Sequence, residues 1–428
     1  MKATTIRSST ISSPAFLSAV VRPTRLEKLA RKIVHSRLQA LVRGELTVRE
    51  GENVDVYGAS AADSELRAEL QVHHPSFYSD IAFGGSIGAG EAYMAGHWSS
   101  SDLCDLLRLL LINRDVLENL DSGLAALVQP ARKMLHWLNR NTRDGSRKNI
   151  AAHYDLGNEF YALWLDPKMM YSSAYFDTAT TSLEVAATAK LERICRKLEL
   201  SGDDSVVEIG TGWGGFAIYA TQNYGCHVTT TTISREQYEL ASERVRKAGL
   251  EDKITLLFED YRDLGGQYDK LVSIEMIEAV GHQFHESFFQ KCCELLKPDG
   301  QMLLQAITIA DQQYDRYIKG VDFIRRYIFP GGCLTSVTDM ARVMTRKTDM
   351  RILHTEDIGP HYARTLQQWN ERFFGRIDAV REMGYSETFV RMWEFYLCYC
   401  EAAFLERSIG TVQMLIMRPG ARREQIIY

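Results

Sequence analysis

The sequence predicts an α/β protein: a doubly wound, mostly parallel seven-stranded sheet with helices on both faces, beside a smaller N-terminal α+β domain. Three observations predict it. Strand-like and helical segments alternate after residue 150, a glycine-rich turn follows the first of those strands, and short alternating segments fill the preceding region. At 428 residues the chain exceeds the usual size of one hydrophobic core, so two domains are expected.

The composition is that of an ordinary globular protein, with 45% hydrophobic and 25% charged residues. A net charge of -5 gives no overall basic field, so we expect no nucleic-acid partner. The eight cysteines include no CxxC pair, so we expect reduced thiols and no metal site.

The N-terminal part begins with residues 1–20, whose serines and threonines predict a disordered tail rather than a signal peptide. In residues 24–43, apolar side chains recur at helical spacing, while the other faces carry six lysines and arginines against one acid. Such a helix either lies on an anionic membrane or docks on its own domain, and both readings stay open. The apolar run 103–112 is too short to span a bilayer.

Domain boundaries follow from changes in pattern. In residues 44–98 the strings ELTVREG, NVDVYG and FGGSIGAGEAYMAGHW predict a β-rich unit, and residues 103–139 predict a helical stretch. The polar, basic segment 139–149 lacks periodicity and is predicted to be a linker. It divides an accessory domain, residues 21–138, from a second domain, residues 150–428.

The second domain contains seven strand-like runs separated by helical segments. A helical insert from about residue 314 to residue 347 lies between the fifth and the sixth run. In order, the runs are SVVEI, HVTTTT, ITLLF, KLVSIE, QMLLQAI, RILHTEDI and GTVQMLIM.

The turn after the first of these runs carries EIGTGWGG, whose glycines allow the backbone to approach a ligand across the strand ends. Glu208, two residues before the first glycine, can hold the amino group of a methionine moiety. The second strand ends in HVTTTTIS, without the acid that binds a nicotinamide ribose, which disfavours a dinucleotide. Asp260 is placed for an adenine amino group or as a turn cap, with Tyr261 as a stacking face.

Eight strings in fixed order resemble the cyclopropane-fatty-acyl-phospholipid synthase family over residues 84–418. The resemblance implies a Rossmann-like class I methyltransferase domain with a helical insert and a lipid-associated accessory domain. It implies S-adenosylmethionine (SAM) as cofactor and transfer of a methyl or methylene carbon to an unsaturated phospholipid acyl chain. The strings are GSIGAGEAYMAGHW, AHYDLGNEFYALWLDPKMMYSSAYF, EIGTGWGGFAIYA, TTISREQ, DYRDL, SIEMIEAVG, YIFPGGCLTS and GPHYARTLQQWNERF.

The resemblance also implies site residues. The family holds a bicarbonate ion with a cysteine, a glutamate, a histidine, an isoleucine and a tyrosine. Because the cysteine and the histidine are replaced, we expect a weakened or altered bicarbonate site. The corresponding positions are Ser173, Glu278, Gln305, Ile307 and Tyr362. The implied cofactor contacts are Tyr171, Ser172, Gly210, Gly212, Thr232, Ile233, Gln237, Asp260 and Tyr261.

The expected reaction leaves a carbocation on the acyl chain, which aromatic faces can stabilise and from which a proton must leave. Glu278, at the end of the fourth strand, is the predicted base, with Tyr362 as its partner. Loss of the proton from the new methyl closes a cyclopropane, and loss from a neighbouring carbon keeps the chain unsaturated. The altered anion site favours the second product.

Two alternatives stay open: an N-methyltransferase of the same fold acting on a small amine, and a lipid-binding paralogue that keeps the cofactor but has altered catalysis. The accessory domain and the basic helix favour a lipid substrate. We expect a cytoplasmic protein peripherally associated with the inner face of the membrane. The oligomeric state is left open, with a homodimer among the expectations.

Overall fold

The computed structural model describes residues 22–58, 66–114 and 156–423, which form two compact units. Of these residues, the first unit contains those before 115 together with Asp378–Ser408, and the second contains 156–377 and those from Ile409 onward. The predicted tail and linker lie outside the described residues. None of the described helices is long and apolar enough to cross a membrane.

The helices and strands alternate most regularly in the second unit. The helices are α1 Arg25–Leu38, α2 Ser76–Met94, α3 Leu103–Ile112, α4 Asn158–Ala162, α5 Leu183–Lys197, α6 Gly215–Tyr224, α7 Arg235–Lys247, α8 His285–Leu295, α9 Asp311–Tyr317, α10 Val337–Lys347, α11 Gly359–Gly375, α12 Ile377–Glu382 and α13 Glu387–Leu405. The strands are β1 Glu45–Glu50, β2 Asn53–Tyr57, β3 Arg67–Val72, β4 Trp98–Ser99, β5 Ser205–Ile209, β6 His227–Thr231, β7 Ile254–Leu257, β8 Tyr268–Ile274, β9 Leu296–Ile309, β10 Arg351–Asp357 and β11 Ile409–Met417.

The first unit has a four-stranded sheet in the order β2-β1-β3-β4, with β1 antiparallel to β2 and parallel to β3. The segment FGGSIGAGEAYM, predicted as part of a β-rich region, is instead helical and belongs to α2. The helix is kinked at Gly85, where φ is 57°, and a Cβ on Gly88 would lie 2.0 Å from the carbonyl oxygen of Asp80. The glycines therefore permit a tight kink and close packing. In the sequence alone, the same high glycine content suggested turns between strands.

Helix α13 was predicted to belong to the second domain, and the structure groups it with the first unit. There it packs against α2 and α3. The Tyr93 hydroxyl donates to Glu394 Oε2 at 2.5 Å, and Arg391 donates to the carbonyl oxygen of Tyr93 at 3.0 Å. A periodic apolar pattern predicts that a helix is buried, but it does not identify the element that buries it, which explains the misassignment.

The second unit has the predicted seven-stranded sheet, in the order β10-β11-β9-β8-β5-β6-β7. Strands β5 to β9 are parallel to one another, whereas β11 is antiparallel to both β9 and β10. The predicted helical insert contains α9, a π-helical turn at Ile324–Ile328, and α10. This is the mixed sheet of a class I methyltransferase.

Two hydrophobic cores cover the two faces of this sheet. Side chains alternate between the faces along a strand, so Val207 packs into one core and Val206 into the other. Leu304 and Leu303 divide in the same way on β9. With both faces covered by helices, the exposed carboxyl ends of the parallel strands are the natural place for a ligand.

Candidate active site

The glycine-rich turn joins β5 to α6 at this carboxyl edge. Gly210, Gly212 and Gly214 have φ values of 103°, 53° and 82°, a region that side chains with a Cβ rarely adopt. A Cβ on Gly212 would meet none of the described atoms within 4 Å. The Trp213 ring is buried, and its Nε1 donates to Asn158 Oδ1 at 2.6 Å. The turn is thus anchored by Trp213 and leaves open space at Gly212, a shape that fits SAM.

The Glu208 carboxylate is buried just before this turn. The Thr230 hydroxyl donates to Glu208 Oε2 at 2.6 Å, and the Lys190 ammonium lies close enough to act on its charge. Burial raises the pKa of Glu208 to about 8, although Thr230 and Lys190 oppose that shift. A bound ammonium group would favour the ionised form, so the carboxylate fits the role predicted for it.

Residues 166–173 are held against the start of α6. The Asp166 carboxylate accepts from the amides of Lys168 at 2.8 Å and Met170 at 2.9 Å. A Cβ on Gly215 would lie 2.9 Å from the carbonyl oxygen of Lys168 and 2.4 Å from Met170 Sδ, so this helix start favours glycine. Three predicted site residues, Tyr171, Ser172 and Ser173, follow directly in the chain.

The second strand end presents Thr232, Ile233 and Gln237, with Thr232 and Gln237 buried. The Thr232 hydroxyl donates to Gln237 Oε1 at 2.9 Å and accepts from the amide of Ser234 at 3.1 Å. These bonds fix the loop between β6 and α7. Ile233 lies within that loop and is partly buried.

Asp260 follows β7 and is buried. Its carboxylate caps the following turn, which is the second of the two roles that the sequence suggested for it. Oδ1 accepts from the Arg262 amide at 3.0 Å, and the Arg262 guanidinium bonds both carboxylate oxygens, at 2.8 and 2.6 Å. The Tyr261 ring packs edge-on against Phe288, with centroids 5.6 Å apart. The adenine contact remains a prediction for both residues.

The Tyr171 ring lies in an aromatic cluster. Its centroid is 5.3 Å from that of Trp369 and 6.2 Å from that of Phe329. Tyr161 and Trp164 complete the cluster at 5.4 and 5.5 Å from Tyr171. The Tyr171 ring is thus surrounded by other aromatic rings.

The predicted pairing of Glu278 with Tyr362 is wrong, because the Tyr362 hydroxyl donates to Glu275 Oε2 at 2.7 Å. Glu275 Oε1 accepts two further bonds, from the Ser173 amide at 2.9 Å and from Gln305 Nε2 at 2.8 Å. Three of the five positions implied for bicarbonate therefore bind a carboxylate of the chain itself. Glu275 follows β8 directly, at the same strand edge as the glycine turn.

The Glu278 side chain is engaged differently. Its Oε1 accepts from the Ile307 amide at 2.5 Å, and its buried Oε2 has no hydrogen-bond partner among the described residues. Burial and the neighbouring Glu275 charge raise the pKa of Glu278 to about 8. The five implied positions are therefore divided between two carboxyl groups. Ile307 bonds Glu278, whereas Ser173, Gln305 and Tyr362 bond Glu275.

Bicarbonate does not fit this arrangement. The donors implied for it already bind the Glu275 carboxylate, and that charge would repel a second anion at the same place.

Sequence reasoning missed two residues here, Glu275 and Lys190. The string SIEMIE offers two acids at the strand end, and the resemblance pointed only to the second. Lys190 lies on the apolar side of α5, one residue before the buried Leu191, and its Nζ donates to Ser172 Oγ at 2.8 Å. A lysine on the apolar face of a helix is the signal that could have identified it.

Comparisons with known proteins show which family this chain belongs to. The family model described as mycolic acid cyclopropane synthetase matches residues 141–414. Tuberculostearic acid methyltransferase UfaA1 from Mycobacterium tuberculosis is 37% identical over 383 residues, which cover 85% of this chain and 86% of that protein. Cyclopropane-fatty-acyl-phospholipid synthase from Escherichia coli K12 is 36% identical over 360 residues, covering 84% of this chain and 90% of that protein.

A solved structure of a cyclopropane synthase has a similar fold. Mycolic acid cyclopropane synthase CmaA1, complexed with SAH and CTAB, aligns with a TM-score of 0.59 at 28% identity, covering 63% of this chain and 98% of that one. The chain therefore belongs to the mycolic acid cyclopropane synthetase family and is a SAM-dependent C-methyltransferase.

Proposed function

We propose that this enzyme transfers a methyl carbon from SAM to the double bond of an unsaturated fatty acyl chain in a phospholipid, giving a methylated chain without a cyclopropane. Relatives at 36 and 37% identity are named for fatty-acyl substrates, one for a cyclopropane product and one for tuberculostearic acid. The observation that carries the uncyclised product is the changed anion site, where Ser173 and Gln305 bind Glu275.

We assign the cofactor to the carboxyl edge between β5 and β7. Bound there, SAM supplies an electrophilic methyl group on a sulfonium. Glu208 would bind its amino group, and the open backbone at Gly212 would admit it. The remaining contacts of this proposal are Tyr171, Ser172, Gly210, Thr232, Ile233, Gln237, Asp260 and Tyr261.

The aromatic cluster is suited to the cationic stage of the reaction. A carbocation on the acyl chain is attracted to the faces of aromatic rings, typically by about 0.5 to 2 kcal/mol each. Trp369 links the cluster to the anion site, since its ring meets that of Tyr362 edge-on at 6.0 Å. We infer that the acyl double bond lies between Tyr171 and Glu275.

Transfer to lipid is tested by incubating the protein with SAM and phospholipid vesicles that carry either monounsaturated or saturated chains. The proposal expects SAH release and a gain of one carbon in the acyl chain with monounsaturated vesicles alone. Equal SAH release with saturated vesicles would contradict it. Methylation of a small amine would favour the N-methyltransferase alternative, and SAH binding without turnover would favour the altered paralogue.

We also propose that α1 attaches the protein to anionic membrane surfaces, peripherally and on the cytoplasmic side. Ala30, Val34 and Leu38 are buried, but Leu26 and Leu29 are 53 and 54% exposed. Exposed leucines between basic side chains match the requirements of an anionic lipid interface better than those of a fully docked helix. The exposed bases around them are Arg25, Lys28 and Lys32. A homodimer remains a prediction.

A further inference from the structure

Three hydrogen-bond donors converge on one carboxylate at the strand edge. The Ser173 amide and Gln305 Nε2 bond Oε1 of Glu275, and the Tyr362 hydroxyl bonds Oε2. The residue as a whole keeps some exposed surface, while its carboxyl lies deep enough for burial to raise its pKa. A carboxylate presents the same pair of oxygen acceptors that a bicarbonate ion would present to these groups.

We propose that Glu275 is the catalytic base of this enzyme and that its carboxylate takes the place of a bound bicarbonate ion. The inference rests on the proposed function, because it concerns the proton that leaves after carbon transfer. It assigns to Glu275 the role that sequence reasoning gave to Glu278.

The surrounding charges favour an ionised Glu275 beside a neutral Glu278. Burial raises the pKa of Glu275 above its ordinary value, although its three hydrogen bonds and the Lys190 ammonium oppose that shift. For Glu278, burial and the Glu275 charge together raise the pKa to about 8, and the Ile307 amide donates to its Oε1. Two neighbouring carboxyl groups with different environments commonly divide into one anion and one acid.

The backbone and the neighbouring strands hold this carboxylate in place. Glu275 has a φ of 50°, a conformation unusual for a residue with a Cβ, and its amide donates to the carbonyl oxygen of Gln305 at 2.8 Å. Backbone conformations of this kind persist where the surroundings enforce them, and they concentrate at functional sites.

A relay of side chains sets the direction of the Gln305 amide. Lys197 can only donate, and its Nζ bonds Gln413 Oε1 at 2.7 Å. Gln413 Nε2 must therefore donate to Gln305 Oε1, at 2.9 Å, which leaves Gln305 Nε2 to donate to Glu275. The relay presents a donor, and not an acceptor, to the Glu275 carboxylate.

In the proposed step, a C–H bond next to the cationic carbon breaks and its proton moves to a Glu275 carboxylate oxygen. The electron pair of that bond forms the new C=C bond and neutralises the cation. Glu275 becomes a neutral acid and later returns its proton to water. No oxidant, reductant or further reactant is needed.

The first test compares the parent with Glu275→Gln and Glu278→Gln, each assayed with SAM and monounsaturated vesicles in buffer free of carbon dioxide. We expect full parent activity without bicarbonate and a loss of about 100-fold or more in Glu275→Gln, the usual scale of a lost general base. Calorimetric affinity for SAH and the melting temperature of that variant should stay at parent values. A bicarbonate requirement in the parent, or a larger loss in Glu278→Gln, would overturn the inference.

The second test is chemical rescue of Glu275→Gly. Glycine adopts a φ of 50° without steric strain, so this variant should fold. It removes the carboxylate that accepts hydrogen bonds from Ser173, Gln305 and Tyr362. We expect added formate or bicarbonate to restore turnover, and chloride at equal ionic strength to have no effect. A folded variant that binds SAH but responds to neither anion would contradict the inference. If the parent itself methylates no lipid, the proposed function fails instead.

Discussion

At the scale of single residues, Gly212 tests the cofactor turn. A valine there would extend into space that none of the described atoms occupies, so we expect Gly212→Val to weaken SAH binding by roughly 100-fold, about 2.7 kcal/mol. Gly249 provides a matched control, because its φ is 66° and a Cβ there also meets no described atom within 4 Å. Calorimetry with both variants separates ligand exclusion from backbone strain. Equal SAH affinity in the two would contradict the assignment of the turn.

Glu208 gives a pH prediction. Its pKa of about 8 leaves it mostly protonated in the free protein at pH 7, whereas binding an ammonium group favours the carboxylate. SAH binding should therefore release a proton at pH 7, and affinity should increase as the pH rises from 6 to 8. Calorimetry in buffers of different ionisation enthalpy measures the proton, and Glu208→Gln should abolish its release. Proton uptake on binding would contradict this account.

A β-strand, a glycine-rich turn and an acid form a local pattern, so the sequence located the turn that joins β5 to α6. The hydrogen-bond partner of Tyr362 has no such local pattern. The pairing of Tyr362 with Glu275 joins positions 87 residues apart in the chain, and no local pattern records it. The left-handed backbone at Glu275, which directs that side chain, likewise leaves no sign in the residue type.

At the scale of elements, α1 gives a prediction about membranes. Replacing Arg25, Lys28 and Lys32 by glutamine should lower binding to anionic vesicles by roughly 100-fold, since each base near such a surface contributes about 1 kcal/mol. Arg31 is left unchanged because it pairs with Glu50 at 2.8 Å.

Co-sedimentation with vesicles at two salt concentrations measures this binding. A control that replaces the exposed Arg246, Lys247 and Arg346 by glutamine changes the net charge equally. Equal loss in both variants would show that net charge, and not the helix, governs binding. Unchanged sedimentation of the α1 variant would mean that the helix has only a packing role.

Most strands of the second unit were predicted to within one residue at each end, because compact apolar runs are separated by clear breaks. Strand β9 is longer than predicted, Leu296–Ile309 against residues 301–307, because its first residues include Lys297, Pro298 and Asp299. The glycines of α2 misled the prediction, since composition alone does not separate a glycine needed for a turn from one needed for close packing. Gly88, pressed against the Asp80 carbonyl, belongs to the second kind. Elements are thus predictable where their own periodicity is strong.

At the scale of the whole molecule, the order of strands and helices sufficed to predict the fold class. The division into units was not predictable, because Asp378–Ser408 returns to the first unit after more than 200 described residues of the second. Such a return depends on contacts between distant segments, which periodicity does not encode.

The most direct test of the proposed reaction is NMR of lipid methylated with SAM carrying ¹³C in its methyl group. The parent enzyme, monounsaturated phospholipid vesicles and buffer without bicarbonate are sufficient. We predict that the label enters the acyl chain as a methyl or methylene carbon, with no proton signal upfield of the ordinary acyl resonances. An upfield cyclopropane signal that depends on added bicarbonate, or label absent from the lipid, would contradict the account.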